Sequence, residues 1–259
     1  MPIKLWEATE DQKNKSNLFK YESFLHKKYK IKFNKNYSKL HDWSIKNPEK
    51  FWNSIWDFSN VKGKKIKKFY KSKELFKNRF FINSKLNFAE NLLSKKDNSK
   101  AITFINENGY KEIRKWNELN LNVKKISFYL KKINIKEKDR VAAYLPNLIE
   151  TVESFLATVS IGAIWSSCSP DFGVNGVIER FAQIKPKVLI LCDRYYYNGK
   201  QINVIDRLKP ILKKIKSIKN VIIINYPGKK HIKFKKNKYI KFEFWKNIKK
   251  LKPKKLEFK

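Results

Sequence analysis

Apolar positions along the chain change their period several times, and each change marks an element. In the lysine-rich opening, Phe19, Tyr21, Phe24 and Leu25 fall on one face of a helix. Asn47 then stands where an N-cap belongs, and Pro48 where the first helical residue tolerates proline. Phe51, Trp52, Ile55 and Trp56 follow at helical spacing, and with Trp43 they carry enough apolar surface to require a core. A basic connector over 60–78 leads into a loop and helix over 80–93. Residues 101–106 read as a strand, Glu107-Asn108-Gly109 supplies an Asn-Gly turn, and 110–116 returns as the second arm of a β-hairpin. Asn117 is the expected cap of a helix with Leu119, Val123, Ile126 and Leu130 inward. Asn134 is the left-handed residue expected to end it.

From residue 139 the pattern becomes regular. An apolar run over 140–145 is broken by Pro146-Asn147, and Asn147 with Glu150 resembles a capping pair. Ile149, Val152, Leu156 and Val159 make one helical stripe that Gly162 stops. A strand over 163–167, a helix over 175–184 and a strand over 187–192 come next. A helix then turns Val204, Ile205, Leu208, Leu212 and Ile215 inward, with a kink or break expected at Pro210. Residues 221–224 form a wholly apolar strand. Strand–helix units repeated in this way predict an α/β fold with a mostly parallel, doubly wound sheet over 139–225. A helical, aromatic-rich region and the hairpin precede it. The final stretch, 229–259, is basic, contains Phe234, Tyr239, Phe242, Phe244 and Trp245, and has no clear terminus signal.

Composition narrows the class. A chain of 259 residues that is 42% hydrophobic can build one large core or two smaller ones, which excludes a disordered chain. No apolar run is long enough for a membrane span. The opening Met1-Pro2-Ile3-Lys4-Leu5-Trp6 lacks the apolar core of a secretory leader, so a cytoplasmic location is expected. Cys168 and Cys192 sit in apolar runs and are expected to be buried, reduced thiols; no disulfide is implied.

The formal charge of +37 raises the question of nucleic acid or an anionic membrane. Only six of the 60 basic residues are arginine, the residue that reads bases and forks onto phosphates. The lysines are spread along the chain and not gathered in one stretch. Neither specific nucleic-acid binding nor a membrane partner is expected, only weak attraction to polyanions.

In a doubly wound sheet, ligands bind beyond the carboxyl ends of the strands. Two such ends are rich in small and polar groups. Ser166, Ser167, Ser169 and Asp171 are candidates to line a polar pocket, although serines there equally serve to satisfy turn backbone. Tyr195 to Lys200 offers rings for stacking, a glycine for close approach and a lysine for phosphate; the alternative is an exposed turn. Seven glycines, none closer together than Gly173 and Gly176, leave no dinucleotide fingerprint and no phosphate-cradling loop. His26, His41 and His231 are too dispersed for a zinc site, and no nucleophile elbow is present. No catalytic residue and no metal ligand is assigned.

The run Ile161-Gly162-Ala163-Ile164-Trp165-Ser166-Ser167-Cys168-Ser169-Pro170-Asp171-Phe172-Gly173 resembles the signature of the acetoacetyl-CoA synthetases, AMP-forming acyl-CoA ligases of the adenylate-forming superfamily. Leu145-Pro146-Asn147 before it and Arg180-Phe181-Ala182-Gln183-Ile184-Lys185-Pro186-Lys187 after it extend the likeness. So do Trp43-Ser44-Ile45, Pro48-Glu49-Lys50-Phe51-Trp52 and Leu86-Asn87-Phe88-Ala89-Glu90-Asn91-Leu92-Leu93. The resemblance runs from about residue 37 to about residue 205, and more faintly beyond. It implies a synthetase-type N-terminal extension over 1–95 and the first part of an AMP-binding domain over 96–259. It also implies ATP, CoA and Mg2+ as cofactors, and acetoacetate as substrate of the complete enzyme. The phosphate loop, the later adenine, ribose and CoA motifs and the catalytic lysine of such enzymes lie beyond the matched residues. This chain is therefore expected to cover well under half of a ligase, to be inactive alone and to bind no cofactor tightly.

In related acetyl-CoA synthetases an Arg-Gly-Gly-Lys-like segment holds CoA. Tyr197, Asn198, Gly199 and Lys200 occupy its place, with the arginine and one glycine replaced. Ser169 and Pro170 fall where relatives approach the CoA adenine, and Asn134 and Lys138 stand where glycines are usual. Two other readings stay open: half of a split ligase that assembles with a second chain, and a lysine-rich polyanion or nucleic-acid binder on an old ligase scaffold.

The charge generates one prediction. Retention of the chain on heparin should collapse between 50 and about 300 mM salt and show no preference among DNA sequences. Sequence-selective binding that survives high salt would overturn it.

Overall fold

Helix signals before residue 60 become four helices in a computed structural model that describes residues 5–229, 239–253 and 255–259. The chain divides into two units, Met1–Leu86 and Asn87–Lys259. In the first, α1 (Glu10–Lys15), α2 (Asn17–Tyr29), α3 (Tyr37–Lys46) and α4 (Pro48–Phe58) follow one another closely. Thr9, Ser16 and Asn36 cap the first three through side-chain oxygens. Tyr21, Leu25, Phe33 and Leu40 form a small core that Trp43, Phe51 and Phe58 pack against. Pro48 takes the first helical position as expected. Asn47 occupies the cap position, but its amide turns back to donate to the Trp43 carbonyl at 3.1 Å, so it closes α3 instead of capping α4. The connector carries a 3-10 turn over Leu75–Lys77 and two isolated bridges, Lys64 to Lys85 and Tyr70 to Arg79.

The second unit opens with α5 (Phe88–Leu92), capped by the Asn87 oxygen. β1 (Lys100–Ile105) and β2 (Lys111–Lys115) pair antiparallel as the expected hairpin. The Asn106 side chain closes its turn by accepting from the Asn108 and Tyr110 amides, and Gly109 supplies the positive φ of 76°. α6 (Trp116–Lys132) buries Leu119, Val123, Ile126 and Leu130, and Asn134 adopts φ 63° after its end. Asn117 is not the cap. The helix starts one residue earlier, where the Glu118 carboxylate accepts from the Lys115 amide at 2.9 Å.

The sheet is then built from β3 (Arg140–Tyr144), β4 (Ile164–Cys168), β5 (Val188–Cys192), β8 (Asn220–Ile224) and β9 (Lys241–Phe244). Its order is β4-β3-β5-β8-β9, with every pairing parallel. α7 (Ile149–Ser160), α8 (Val174–Ile184) and α9 (Leu208–Lys214) connect the first four. Right-handed crossovers place α7 on one face and α8 and α9 on the other. β5 and β8 are buried along their whole length, which explains their unbroken apolar sequence.

Three expectations change. Asn147 with Glu150 does not cap α7: the Thr151 hydroxyl accepts from the Leu148 amide at 3.3 Å, and Glu150 is buried. Pro210 breaks nothing, because a 3-10 turn over Ile205–Arg207 comes first and Pro210 lies in the opening turn of α9, where no intrahelical N–H is needed. The sequence between β5 and α9 is not a simple turn but a hairpin of β6 (Arg194–Tyr197) and β7 (Lys200–Asn203). β9 and α10 (Trp245–Ile248) carried no signal legible beforehand, and Phe234 lies outside the described residues. Cys168 and Cys192 are buried and free, as expected.

A buried ionic knot ties β2 to the helical layer. Arg114 Nε lies 2.8 Å from a Glu153 oxygen, its Nη2 donates to Glu112 at 3.0 Å, and Asn122 donates to Glu153 at 2.7 Å. Glu153 is fully enclosed, and burial pushes its carboxyl up to about 7 against the pull of Arg114 and Asn122. The folded chain therefore holds this proton up to about pH 7, whereas an unfolded glutamate releases it near 4.5. The folded state binds more protons in that window, so this group's contribution to stability falls as pH rises through it. Glu153→Gln should remove a pH-dependent loss on the order of 2–3 kcal/mol between pH 4.5 and 7.5, measured by urea denaturation. An unchanged slope in the variant would contradict this assignment.

Candidate functional site

β3 is the point where the winding of the sheet reverses. Its chain leaves through α7 towards β4 on one side, while β5 leaves through α9 towards β8 on the other. The connections diverge there and leave a crevice beyond the carboxyl end of β3. A cleft of about 340 Å³ fills this place. Leu145, Pro146 and Asn147 form its floor; Ser167 to Asp171 make one wall and Tyr195 to Tyr197 the other.

The 169–173 wall is held from behind. Arg207 Nη1 donates to the carbonyls of Pro170 and Phe172 at 2.7 and 3.2 Å and to the Tyr144 hydroxyl at 2.5 Å. That hydroxyl donates in turn to the Phe172 carbonyl at 2.5 Å. Burial raises the Tyr144 pKa despite the arginine, so the group stays a neutral donor. The Ser169 hydroxyl donates to Asp171 at 2.6 Å and accepts from the Asp171 amide at 3.3 Å. Ser169 and Tyr195 both donate to Asp171 and hold its carboxyl below the usual range, while burial and the same aspartate push Tyr195 up to about 12.

The tyrosine wall rises on β6. Asp193 anchors its base by accepting from the Tyr226 amide at 2.9 Å and from Arg194 at 3.1 Å. Tyr196 packs tilted against Tyr226, ring centroids 5.2 Å apart, and carries Lys229 over its ring at 5.4 Å. The turn between β6 and β7 is the two-residue Asn198-Gly199, with φ 49° and 71°, the left-handed pair that favours asparagine and glycine. At its tip the Gly199 amide donates to the Glu107 carboxylate at 3.2 Å.

The sequence candidates therefore separate. Ser169, Pro170 and Tyr197 line the cleft, with Ser167 and Asp171 beside them. Ser166 is not among its walls. Asn198, Gly199 and Lys200 stand at the hairpin tip, exposed and beyond the lining. Sequence reasoning missed Tyr144, Arg207 and Lys229. Tyr144 was visible as the one polar tip in an apolar strand, but its partner lies 63 residues away. No wall group is set up as a nucleophile: burial raises the Cys168 thiol, and Asp171 is fastened by two hydroxyls.

The AMP-binding enzyme description matches residues 92–256, and that of the acetyl-coenzyme A synthetase N-terminus matches residues 37–92. The chain belongs to the AMP-binding enzyme family. Among curated relatives, the acetoacetyl-coenzyme A synthetase of Rhizobium meliloti (strain 1021) is 40% identical over 194 residues, which is 74% of this chain and 30% of that protein. The acetoacetyl-CoA synthetase of Xenopus tropicalis is 41% identical over 196 residues, 74% of this chain and 29% of that protein. The solved acetoacetyl-CoA synthetase from Streptomyces lividans superposes with a TM-score of 0.87 at 23% identity, over 100% of this chain and 39% of that one, which establishes a shared fold. The chain thus spans about 30% of the length of the curated relatives it matches. Among the described residues no helix is long and apolar enough to cross a membrane, and no cluster of metal-ligating side chains is found.

The clamp behind the cleft gives a test. Arg207→Ala should speed exchange of the Phe172 amide, which donates to Ser169 at 3.2 Å, by at least tenfold. It should also cost about 1–3 kcal/mol of stability, as for a hydrogen bond to a charged group. Unaltered exchange at Phe172 would show that the loop stands without the arginine.

Proposed function

We propose that this chain forms the coenzyme A side of an AMP-forming ligase that acts on acetoacetate in the cytoplasm. ATP and acetoacetate give an acyl adenylate and pyrophosphate; the CoA thiol then displaces AMP to give acetoacetyl-CoA. The observation that carries the reading is the tyrosine-lined cleft at the winding reversal, in a chain about 40% identical to acetoacetyl-CoA synthetases. Residues 1–95 act as the synthetase-type extension, and 96–259 as the first part of the AMP-binding domain.

The residues fit the cofactors unequally. The described cleft has one carboxylate, Asp171, and no glycine-rich turn or cluster of cations along its lining, so it offers no seat for a triphosphate or for Mg2+. Those belong to the portion of the ligase this chain does not span, whether continuous with it or supplied by a second chain. Coenzyme A fits better. Ser169, Pro170 and the Tyr197 ring offer a flat, partly polar slot for an adenine. Lys200 and Lys229 supply positive charge for its phosphates, and Asn198 and Gly199 a turn whose amides approach closely. When bound, CoA supplies the thiol; these residues orient its nucleotide end. Glu107, already on the Gly199 amide, competes with that end.

Calorimetry with CoA tests the reading. Lys200→Ala and Tyr197→Ala should each weaken binding severalfold, and Glu107→Gln should strengthen it about two- to fivefold, the effect of one exposed charge. The 259-residue chain by itself should form no acetoacetyl-CoA from ATP, acetoacetate and CoA. Turnover by the pure chain, or CoA affinity indifferent to all three substitutions, would refute it.

A further inference from the structure

A cavity of about 550 Å³ lies wholly within the first unit, between α2 and the segment that follows it. The backbone builds it. Lys30, left-handed at φ 59°, ends α2 with its amide on the His26 carbonyl at 2.9 Å and reverses the chain. Asn34 and Lys35, at φ 53° and 59°, turn it again, and the Lys35 amide comes back to Glu22 Oε2 at 3.1 Å. One wall is therefore a stripe of α2 with Phe19, Glu22, His26 and Lys27; the other is the returning Ile31, Lys32 and Phe33.

Glu22 is only 7% exposed, and among the described residues of the lining it is the one carboxylate. One of its oxygens serves the Lys35 amide; among the described residues no donor reaches the other. A neutral glutamine would serve that amide equally well, and enclosing a carboxylate with an unfilled oxygen is costly. Glu22 lines the cavity, so a donor entering there can meet it. At the rim His26, Lys27 and Lys32 are exposed, and among the described residues neither of these lysines is paired with a carboxylate. Lys35, by contrast, is engaged by Glu10 at 2.7 Å and lies over the Phe19 ring. His26 follows Glu22 by one helical turn, a Cβ separation of about 5–6 Å, so unmet negative and positive charge stand close together. Between them the surface is apolar: Phe33 is buried, and Phe19 and Ile31 are half-buried.

An anion alone would face Glu22, and a cation alone would face the lysines. A small zwitterion answers both. We propose that this cavity binds a free α-amino acid with a large apolar side chain. Its ammonium donates to the open oxygen of Glu22, its carboxylate accepts from Lys27 and Lys32, and its side chain packs on Phe19, Ile31 and Phe33. The site is independent of the ligase reading, since it uses none of the residues of the cleft.

Titration of the full 259-residue chain with L-phenylalanine, by calorimetry and by amide NMR, tests the proposal. One-to-one binding is expected, with a shift of the Lys35 amide as its acceptor Glu22 gains a second donor. N-acetyl-L-phenylalanine lacks the ammonium, L-phenylalaninamide the carboxylate and glycine the side chain; each should bind about tenfold more weakly or worse. Glu22→Gln keeps an acceptor for Lys35 and should weaken phenylalanine binding by about tenfold or more, the effect of one charged hydrogen bond. Lys27→Ala with Lys32→Ala should weaken it severalfold without altering the melting of the chain. No saturation by about 10 mM phenylalanine, equal binding of the N-acetyl or amide derivative, or unchanged affinity in Glu22→Gln would overturn the proposal. The ligand series uses the unaltered chain, so it decides the question even where a variant fails to fold.

Discussion

Parallel pairing of β3 on both of its edges is the constraint from which the rest of the second unit follows. Residues 141–144 have neighbours above, below and on either side, so every side chain there must be apolar or, like Tyr144, supplied with a partner. The same double pairing forces the connections after β3 and β5 to leave in opposite directions. A crevice at the carboxyl end of β3 is then unavoidable. The cleft is a consequence of the winding, and its walls are whatever the two diverging connections happen to carry.

What they carry is fastened in different ways. The 169–173 wall has little apolar burial of its own and is held by an arginine and a tyrosine that reach it through four hydrogen bonds to the Pro170 and Phe172 carbonyls. The tyrosine wall is a hairpin with its own ladder, fixed at the base by Asp193 and touched at the tip by Glu107. Glu107 belongs to the first hairpin, and the root of that hairpin is the Arg114–Glu153 pair. The buried ionic knot and the rim of the cleft are therefore linked through one β-ribbon. A buried charged contact of this kind is weak support for stability, because removing either partner leaves the other a buried polar group without its partner.

The chain is unusually basic, yet its charge is placed where solvent can take it. Strands β5 and β8 have no charged residue at all, and the lysines occupy helix exteriors, turns, connectors and exposed positions of β1, β2, β7 and β9. Charge of this kind sets solubility and attraction to polyanions, while the fold is decided by the apolar positions between the lysines.

The local elements were legible because each depends on short-range physics. Helical spacing located α6 and α7, the apolar runs located β5 and β8, and Asn106 to Gly109 closed a turn with residues suited to it. Their alternation determined a parallel sheet, since strands buried on both faces need helical crossovers. The caps expected at Asn117 and Asn147 fall instead at Lys115, two residues earlier, and Leu148, one residue later, where Glu118 and Thr151 accept from the amides. The second hairpin was hidden although Asn198-Gly199 announces its turn; its arms have only four residues each and little apolar alternation. Strand order, the clamp of Arg207 on Tyr144, the contact of Glu107 with Gly199 and the bond from Asn87 to the Lys259 carbonyl were decided only by tertiary structure. Each joins residues between 63 and 172 positions apart in the chain or depends on which strands become neighbours, and no local periodicity encodes such a meeting.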